Sequence, residues 1–355
     1  VAGDETLMID DEEKMAWLKE AAMLEPEKRG FSPEQMVKCE KCLRANPPTR
    51  TNCLYCGTQL PVTEASAHLR QPVLRKLESG QQGFNLILLP QGSTRIKEES
   101  LREMAGLLSL QMEELLRIIE AGEPLPIART VTPDDASLIE SRLRAQGARL
   151  LTVSDHELAL EDSAPKRLRG LELKDDLLIA YPVGSDDAGR SMAWTDISLI
   201  VAGRLFERRV EVVERRGRLS EKEIVDSREL SADEAVLDIY AAGLDGNARI
   251  VSNNFDFSCL GAEKKLLAAA NFSRLSEILR QRAGLARYDD SYNRVRHALS
   301  ALWPPEEHTG SGGLRRVRPG RYNTETFTKS DNEGQFTRYS RLRHYLKTNY
   351  PDLLT

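Results

Sequence analysis

Long apolar runs are missing from this chain: no stretch approaches the roughly 18 consecutive apolar residues of a membrane-spanning helix. The acidic start, Val1 to Asp11, has no basic segment leading into an apolar one, so a secretory signal is not expected. An excess of one charge is also missing. A net charge of -5 on 355 residues excludes a surface built throughout for nucleic acid and leaves room only for local basic patches. Histidine is limited to five residues, none in the His-x-x-x-His spacing of catalytic zinc helices. There is no Gly-x-Ser-x-Gly elbow, no phosphate-cradling loop ending in Lys-Ser/Thr and no dinucleotide fingerprint. The adjacent pairs Asp175-Asp176, Asp186-Asp187 and Asp289-Asp290 read as turns or helix starts rather than as acid/base pairs. These absences predict a protein that is not an enzyme and has no small-molecule substrate. What remains is ordinary and soluble: 40% hydrophobic and 30% charged residues, enough for two or three packed domains.

Cysteine is scarce but concentrated. Four of the five cysteines fall in two Cys-x-x-Cys pairs, Cys39/Cys42 and Cys53/Cys56, with ten residues between them. This is metal spacing rather than a disulfide framework, and it points to a reducing, cytoplasmic setting. Each pair places two thiolates on a tight turn, and Gly57 supplies permissive backbone after the last of them. The expected ion is Zn2+, held by four protein thiolates that leave no open position for catalysis. The site is therefore expected to be structural. Lys38, Lys41, Arg44 and Arg50 against Glu40 make its surroundings mildly basic, and a solvated surface is the simpler reading of them.

Residues 83–155 alternate apolar runs with helical periodicity. Phe84–Pro90, Leu125–Thr130 and Ala148–Val153 read as strands. Helices are expected over Ile96–Ala105, over Leu110–Ala121 with Met112, Leu115, Leu116 and Ile119 inward, and from Thr132 to Gly147. Thr132 followed by Pro133, Asp134 and Asp135 is a capped helix start. The order strand, helix, helix, strand, helix, strand resembles the C-terminal domain of the bacterial ribosomal stalk protein. The matching wording is Leu108-Ser-Leu110, Leu116, Pro124-Leu-Pro126, Thr132-Pro-Asp-Asp-Ala136, Ile139, Leu143 and Gly147-Ala148. In that family, lysines of the second helix meet acidic surfaces of translation factors. Here the equivalent places hold Gln111 and Glu114, so the resemblance implies the fold and a partner-facing helix, not factor binding.

From residue 170 to 286 the period becomes two. Strands are expected at Leu177–Tyr181, Ile197–Val201, Val210–Val213, Val236–Tyr240, Ala248–Val251 and Phe255–Phe257, before a helix over Lys264–Ala283. An antiparallel sheet closed by a helix looks like the pleckstrin-homology-like layout, and Ala193-Trp194-Thr-Asp-Ile197 is similar to a phrase that opens a strand there. Some such domains bind phosphoinositides through a basic loop. Arg204, Arg208, Arg209, Arg215, Arg216 and Arg218 are interleaved with Glu207, Glu211 and Glu214, however, so a salt-bridged face is expected and membrane binding is not. Trp194 and Cys259 read as packing residues.

The last segment, 287–355, opens with a helix from Asp289 to Leu302, ended by Pro304-Pro305. A polar stretch follows in which nine Lys or Arg oppose three acidic residues between Leu314 and Lys347, with aromatics interleaved. Arg315, Arg316, Arg318, Arg321, Arg338, Arg341 and Arg343 are thus candidates for gripping single-stranded nucleic acid or a protein partner. A segment that lies along an acidic neighbour has the same composition, and this is the favoured reading. The fold class expected is α+β and multidomain: an acidic helical segment (1–35), a zinc ribbon (36–62), a βααβαβ domain (83–155), an antiparallel β domain with a C-terminal helix (170–286), and the helix with its basic tail. The function expected is that of an adaptor or scaffold for other proteins, with a nucleic-acid- or ribosome-associated factor as the alternative.

Overall fold

The computed structural model describes residues 31–50, 52–58, 60–61, 74, 81–90, 96–160, 164–184, 189–216, 222–242, 248–318 and 321–354. The helix expected within the acidic segment 1–35, over Asp10–Pro26, lies outside them. Mixed helices and strands make the chain α+β, in two compact units, 1–71 and 72–355. No described helix is long and apolar enough to cross a membrane.

In the first unit, strands β1 (Val37–Lys38) and β2 (Ala45–Asn46) pair antiparallel. Among its described residues the buried hydrophobic core is Val37, Cys39, Cys53 and Leu60.

The second unit begins with the expected order: β3 (Phe84–Leu88), α1 (Glu98–Leu108), α2 (Met112–Glu120), β4 (Leu125–Thr130), α3 (Pro133–Ala145) and β5 (Leu150–Ser154). The three strands form an antiparallel sheet in the order β4-β3-β5. The Thr132 hydroxyl accepts from the Asp135 N–H at 3.1 Å, so the cap read from sequence is made. Gly147 ends α3 at φ +90°, a conformation that glycine adopts without strain. On α2 the fully buried residues are Leu115 and Ile118, with Met112 and Ile119 beside them. The helix is thus rotated slightly from the expected stripe, and Leu116 is only half-buried.

A larger sheet follows, built from β6 (Lys166–Leu173), β7 (Leu177–Pro182), β8 (Arg190–Ala193), β9 (Ile197–Arg216), β10 (Lys222–Ala241) and β11 (Ala248–Val251). β9 also pairs with β12 (Arg287–Asp289). The hairpin β13 (Glu306–Arg318) and β14 (Arg321–Asp331) extends the sheet, giving the order β13-β14-β9-β10-β11-β6-β7-β8. The charged stretch from Arg204 to Arg209 is therefore strand, and β9 and β10 each run twenty residues. Cross-strand pairs hold it: Arg204 to Asp233 at 3.0 Å and Arg208 to Glu229 at 2.8 Å. Arg209 pairs along its own strand with Glu211 at 2.9 Å. Phe255–Phe257 is not the strand expected. Asp256 makes one isolated bridge to Gly170, and a 3-10 turn begins at Phe257.

Near their shared base, β9 and β10 are buried on both faces. Leu199, Val201, Val236 and Tyr240 point into one core, and Ile197, Ile200, Leu237 and Ile239 into the other. The second core is closed by α4 (Ala268–Arg282) through Phe272, Leu275 and Leu279. Trp194 packs there and donates its indole N–H to the Lys174 carbonyl at 3.0 Å. Cys259 is half-buried at the edge of this core, and burial pushes its thiol up to about 11.

The first core joins segments that the sequence read as separate. The β3–β5 block packs with α5 (Tyr292–Leu299) and α6 (Glu333–Asn349) around Tyr292, Trp303, Phe336, Tyr339 and Leu342. The Trp303 indole donates to Asn85 at 3.1 Å inside this core. Gly203 is required by close packing, since a Cβ there would lie 2.5 Å from the Phe336 ring. The C-terminal segment is thus a hairpin and a buried helix rather than an extended arm.

Candidate metal centre

Each cysteine pair sits on a knuckle with the same backbone wiring. In the first, the Leu43 N–H donates to the Cys39 carbonyl at 2.8 Å and the Cys39 N–H to the Arg44 carbonyl at 2.9 Å. In the second, Gly57 donates to Cys53 at 3.0 Å and Cys53 to Thr58 at 2.7 Å. Both knuckles turn on a left-handed residue, Gly57 at φ +70° and Leu43 at φ +59°. Glycine takes that geometry freely, whereas leucine is strained by about 1–2 kcal/mol. Leu43 is therefore held there by the surrounding wiring, not by its own preference.

The four Sγ atoms lie within 4.8 Å of one another, close enough to hold one metal ion. Cys39 and Cys56 are 3.6 Å apart and Cys42 and Cys53 3.5 Å. A tetrahedron with metal–sulfur arms of about 2.3 Å has edges of about 3.8 Å, so the cluster fits a tetrahedral ion. The thiols are not equivalent. At Cys42 a backbone hydrogen bond from Arg44 pulls downward, but burial and three neighbouring thiols outweigh it and push the group up to about 12. At Cys53 burial pulls upward, but hydrogen bonds from the Tyr55 and Cys56 backbone, Cys42 and Asn46 hold it down at about 6. Thiolates this close together repel one another, and a cation between them would offset that repulsion. Among the described residues no other group of three or more His, Cys, Asp or Glu converges in this way.

Asn46 escaped the sequence reading. It is fully buried, and its amide donates to the Arg44 carbonyl at 2.9 Å and to the Cys53 sulfur at 3.5 Å. Its carbonyl oxygen accepts from the Leu54 N–H at 2.8 Å. One side chain therefore ties the first hairpin to the second knuckle and supports a ligand sulfur. Its only sequence signal is a polar residue four positions past Cys42, which is too common to single out. Replacing it with alanine is expected to weaken metal binding about 10- to 100-fold, as loss of a hydrogen bond to a metal ligand commonly does. Competition against a chromophoric chelator measures this directly.

The arginine candidates separate into two groups. Arg315, Arg316 and Arg318 belong to β13 and Arg321 to β14, and their side chains lie outside what the structure describes. Arg338, Arg341 and Arg343 are on α6. Arg343 is buried, 2.9 Å from Glu123. Arg338 reaches buried Asp155 at 3.1 Å, where Arg129 also pairs. Arg341 is buried and has partners of its own within the chain. These three are engaged inside the fold, which leaves them poorly placed to grip nucleic acid. The pairing has a simple cause. Helix α6 must bury its apolar face, and Asp155, Glu123 and Asp289 wait in the surface it covers.

The described histidines do not converge with the cysteines. His344 stacks on Tyr240 with ring centroids 4.2 Å apart, and burial lowers its pKa. A half-open cavity of about 900 Å³ lies beside Leu108, Arg129, Trp303 and Arg338.

Comparison with protein-family models, with curated proteins and with solved structures gave no match.

Proposed function

We propose that this chain is a non-catalytic adaptor whose zinc ribbon, closed by Cys39, Cys42, Cys53 and Cys56, docks onto another protein within a larger assembly. Zinc is the ion favoured by an all-thiolate tetrahedral donor set, and with four protein ligands it keeps no position for substrate. The observation that carries the reading is what the knuckles present. Leu43, Leu54 and Tyr55 are exposed by 64%, 51% and 55%, an apolar group on a unit whose described residues include four in a buried hydrophobic core. So small a ribbon has no need of apolar residues on its outside for its own folding, which favours a protein partner for them. The reading extends to the larger unit. On this reading the β3–β5 block is a module resembling the stalk-protein C-terminal domain, and β6–β11 with α4 one resembling a pleckstrin-homology-like domain. Both would serve as partner-binding modules in the cytoplasm.

Affinity capture from native lysate tests the proposal when wild type is compared with a Leu54→Asp/Tyr55→Asp double variant. Partners recovered by wild type and lost with the variant are expected. A set of partners unchanged by the variant would remove the ribbon from the interaction. Arg44 lies over the Tyr55 ring at 4.7 Å, a cation–aromatic pair that could instead stack on a base. Salt-dependent RNA binding that the same variant abolishes would therefore replace the protein partner with nucleic acid.

A further inference from the structure

The outer edge of β10 is open over much of its length. β11 pairs with β10 only from Val236 to Ile239. From Lys222 to Ala235 the strand is bonded to β9 on one side and to no strand on the other, among the described residues. Residues 224–233 are exposed throughout. The edge carries Ile224, Val225 and Leu230, exposed by 66%, 50% and 41%. Asp226 and Arg228 have no ion-pair partner among the described residues. A long open edge with apolar side chains is a template for another strand.

We infer that the strand is a second copy of the same one: two chains pair antiparallel along their β10 edges about a twofold axis at Ser227. The register follows by exclusion. Successive side chains point to opposite faces, so a twofold pairing must set one residue against its own copy. An axis at Glu229 would set Lys222 of one copy opposite Val236 of the other, where β11 already pairs through Val251, and a later axis would run further into the stretch that β11 covers. An axis at Arg228 opposes two arginines, and one at Asp226 opposes two aspartates; like charges directly opposite are unfavourable. An axis at Val225 or earlier falls on or before the bulge between Ile224 and Asp226 and shortens the pairing. Ser227 alone avoids all three obstacles. It sets Asp226 of each copy opposite Arg228 of the other, Val225 opposite Glu229 and Ile224 opposite Leu230. Glu229, which faces the bulge, is already neutralised by Arg208 of its own chain at 2.8 Å. The four strands β13-β14-β9-β10 of each copy then continue as one eight-stranded ribbon.

The full-length, metal-loaded chain is examined by sedimentation velocity over a range of concentrations. Reversible dimerisation is expected for wild type. Arg228→Glu, an exposed site that leaves the melting temperature unchanged, is expected to raise the dissociation constant at least tenfold. Adding Asp226→Arg to that variant is expected to restore the dimer by exchanging the charges. With Ser227→Cys, mild oxidation is expected to give a covalent dimer, whereas Ser231→Cys gives none. A chain that stays monomeric at every concentration overturns the inference and leaves the edge to a strand from another protein. So does a dimer indifferent to Arg228→Glu, or one that cross-links through residue 231 instead of 227.

Discussion

Stripping the metal from the full chain is expected to unfold residues 37–60 and to leave the larger unit folded. Among the described residues of the small unit the buried hydrophobic cluster is Val37, Cys39, Cys53 and Leu60, and two of those four are cysteines of the metal site. Burying a Val or Leu side chain stabilises by about 1.5–3 kcal/mol, whereas ordering one residue costs roughly 1–2 kcal/mol of backbone entropy. Two aliphatic side chains cannot hold more than twenty residues in place. A structural zinc, the ion proposed for this site, would contribute on the order of 10–16 kcal/mol and supply the deficit. The larger unit has two apolar cores of its own and needs no metal for either. Hydrogen exchange resolves the two responses. The amides of Cys39, Leu43, Cys53 and Gly57, all bonded to knuckle carbonyls, should lose protection once a chelator is added. Those of β10 and β11 should keep theirs. Protection retained in the knuckles after the metal has demonstrably left would contradict this account.

The second large effect is expected at Asp238. It faces Arg249 across the β10–β11 ladder, and two hydrogen bonds of 2.7 and 2.8 Å join the carboxylate to the guanidinium. Both side chains are fully buried. Arg249 also reaches Glu333 and Thr337, each at 3.1 Å, and lies over the Phe336 ring. Asp238→Ala would leave a buried guanidinium with one half-exposed carboxylate for company. Breaking such a pair from one side costs about 3–5 kcal/mol, a large part of the 5–15 kcal/mol typical of a whole domain. The double variant Asp238→Leu/Arg249→Met removes both charges and their desolvation together, and is expected to recover most of the loss. Urea unfolding of the single and double variants gives the comparison. A double variant no more stable than Asp238→Ala would show that the pair holds the strand register and not merely its own charges.

How much of this was legible in the sequence depended on whether a feature repeats along the chain. The two Cys-x-x-Cys turns, the Thr132 cap and the strand–helix order from Phe84 to Ser154 are local patterns, and all are present. The long strands were less visible because their outer halves are charged on both faces. Arg204 to Arg209 looks like a loop until Asp233 and Glu229 arrive from β10. The C-terminal segment was misleading for the opposite reason. Phe336, Tyr339, Leu342 and Leu346 do keep helical spacing, but the arginines between them dilute it. Arg338 and Arg343 meet carboxylates far away in the chain, Asp155 and Glu123, which no local reading can supply. Asn46 and Asp238 were invisible for the same cause: a buried polar residue is recognised only by its partners.

The base of β9 and β10 acts as a party wall. Leu199 and Val201 furnish one room, Ile197 and Ile200 the other, and the alternation comes from a single chain. Neither core can therefore be edited for length on its own. One residue inserted between Leu199 and Ile200 would turn the following side chains through the wall and disturb both interiors at once. Natural variation in length is accordingly expected in the connections and at the free ends of the ribbon, and not in this short stretch.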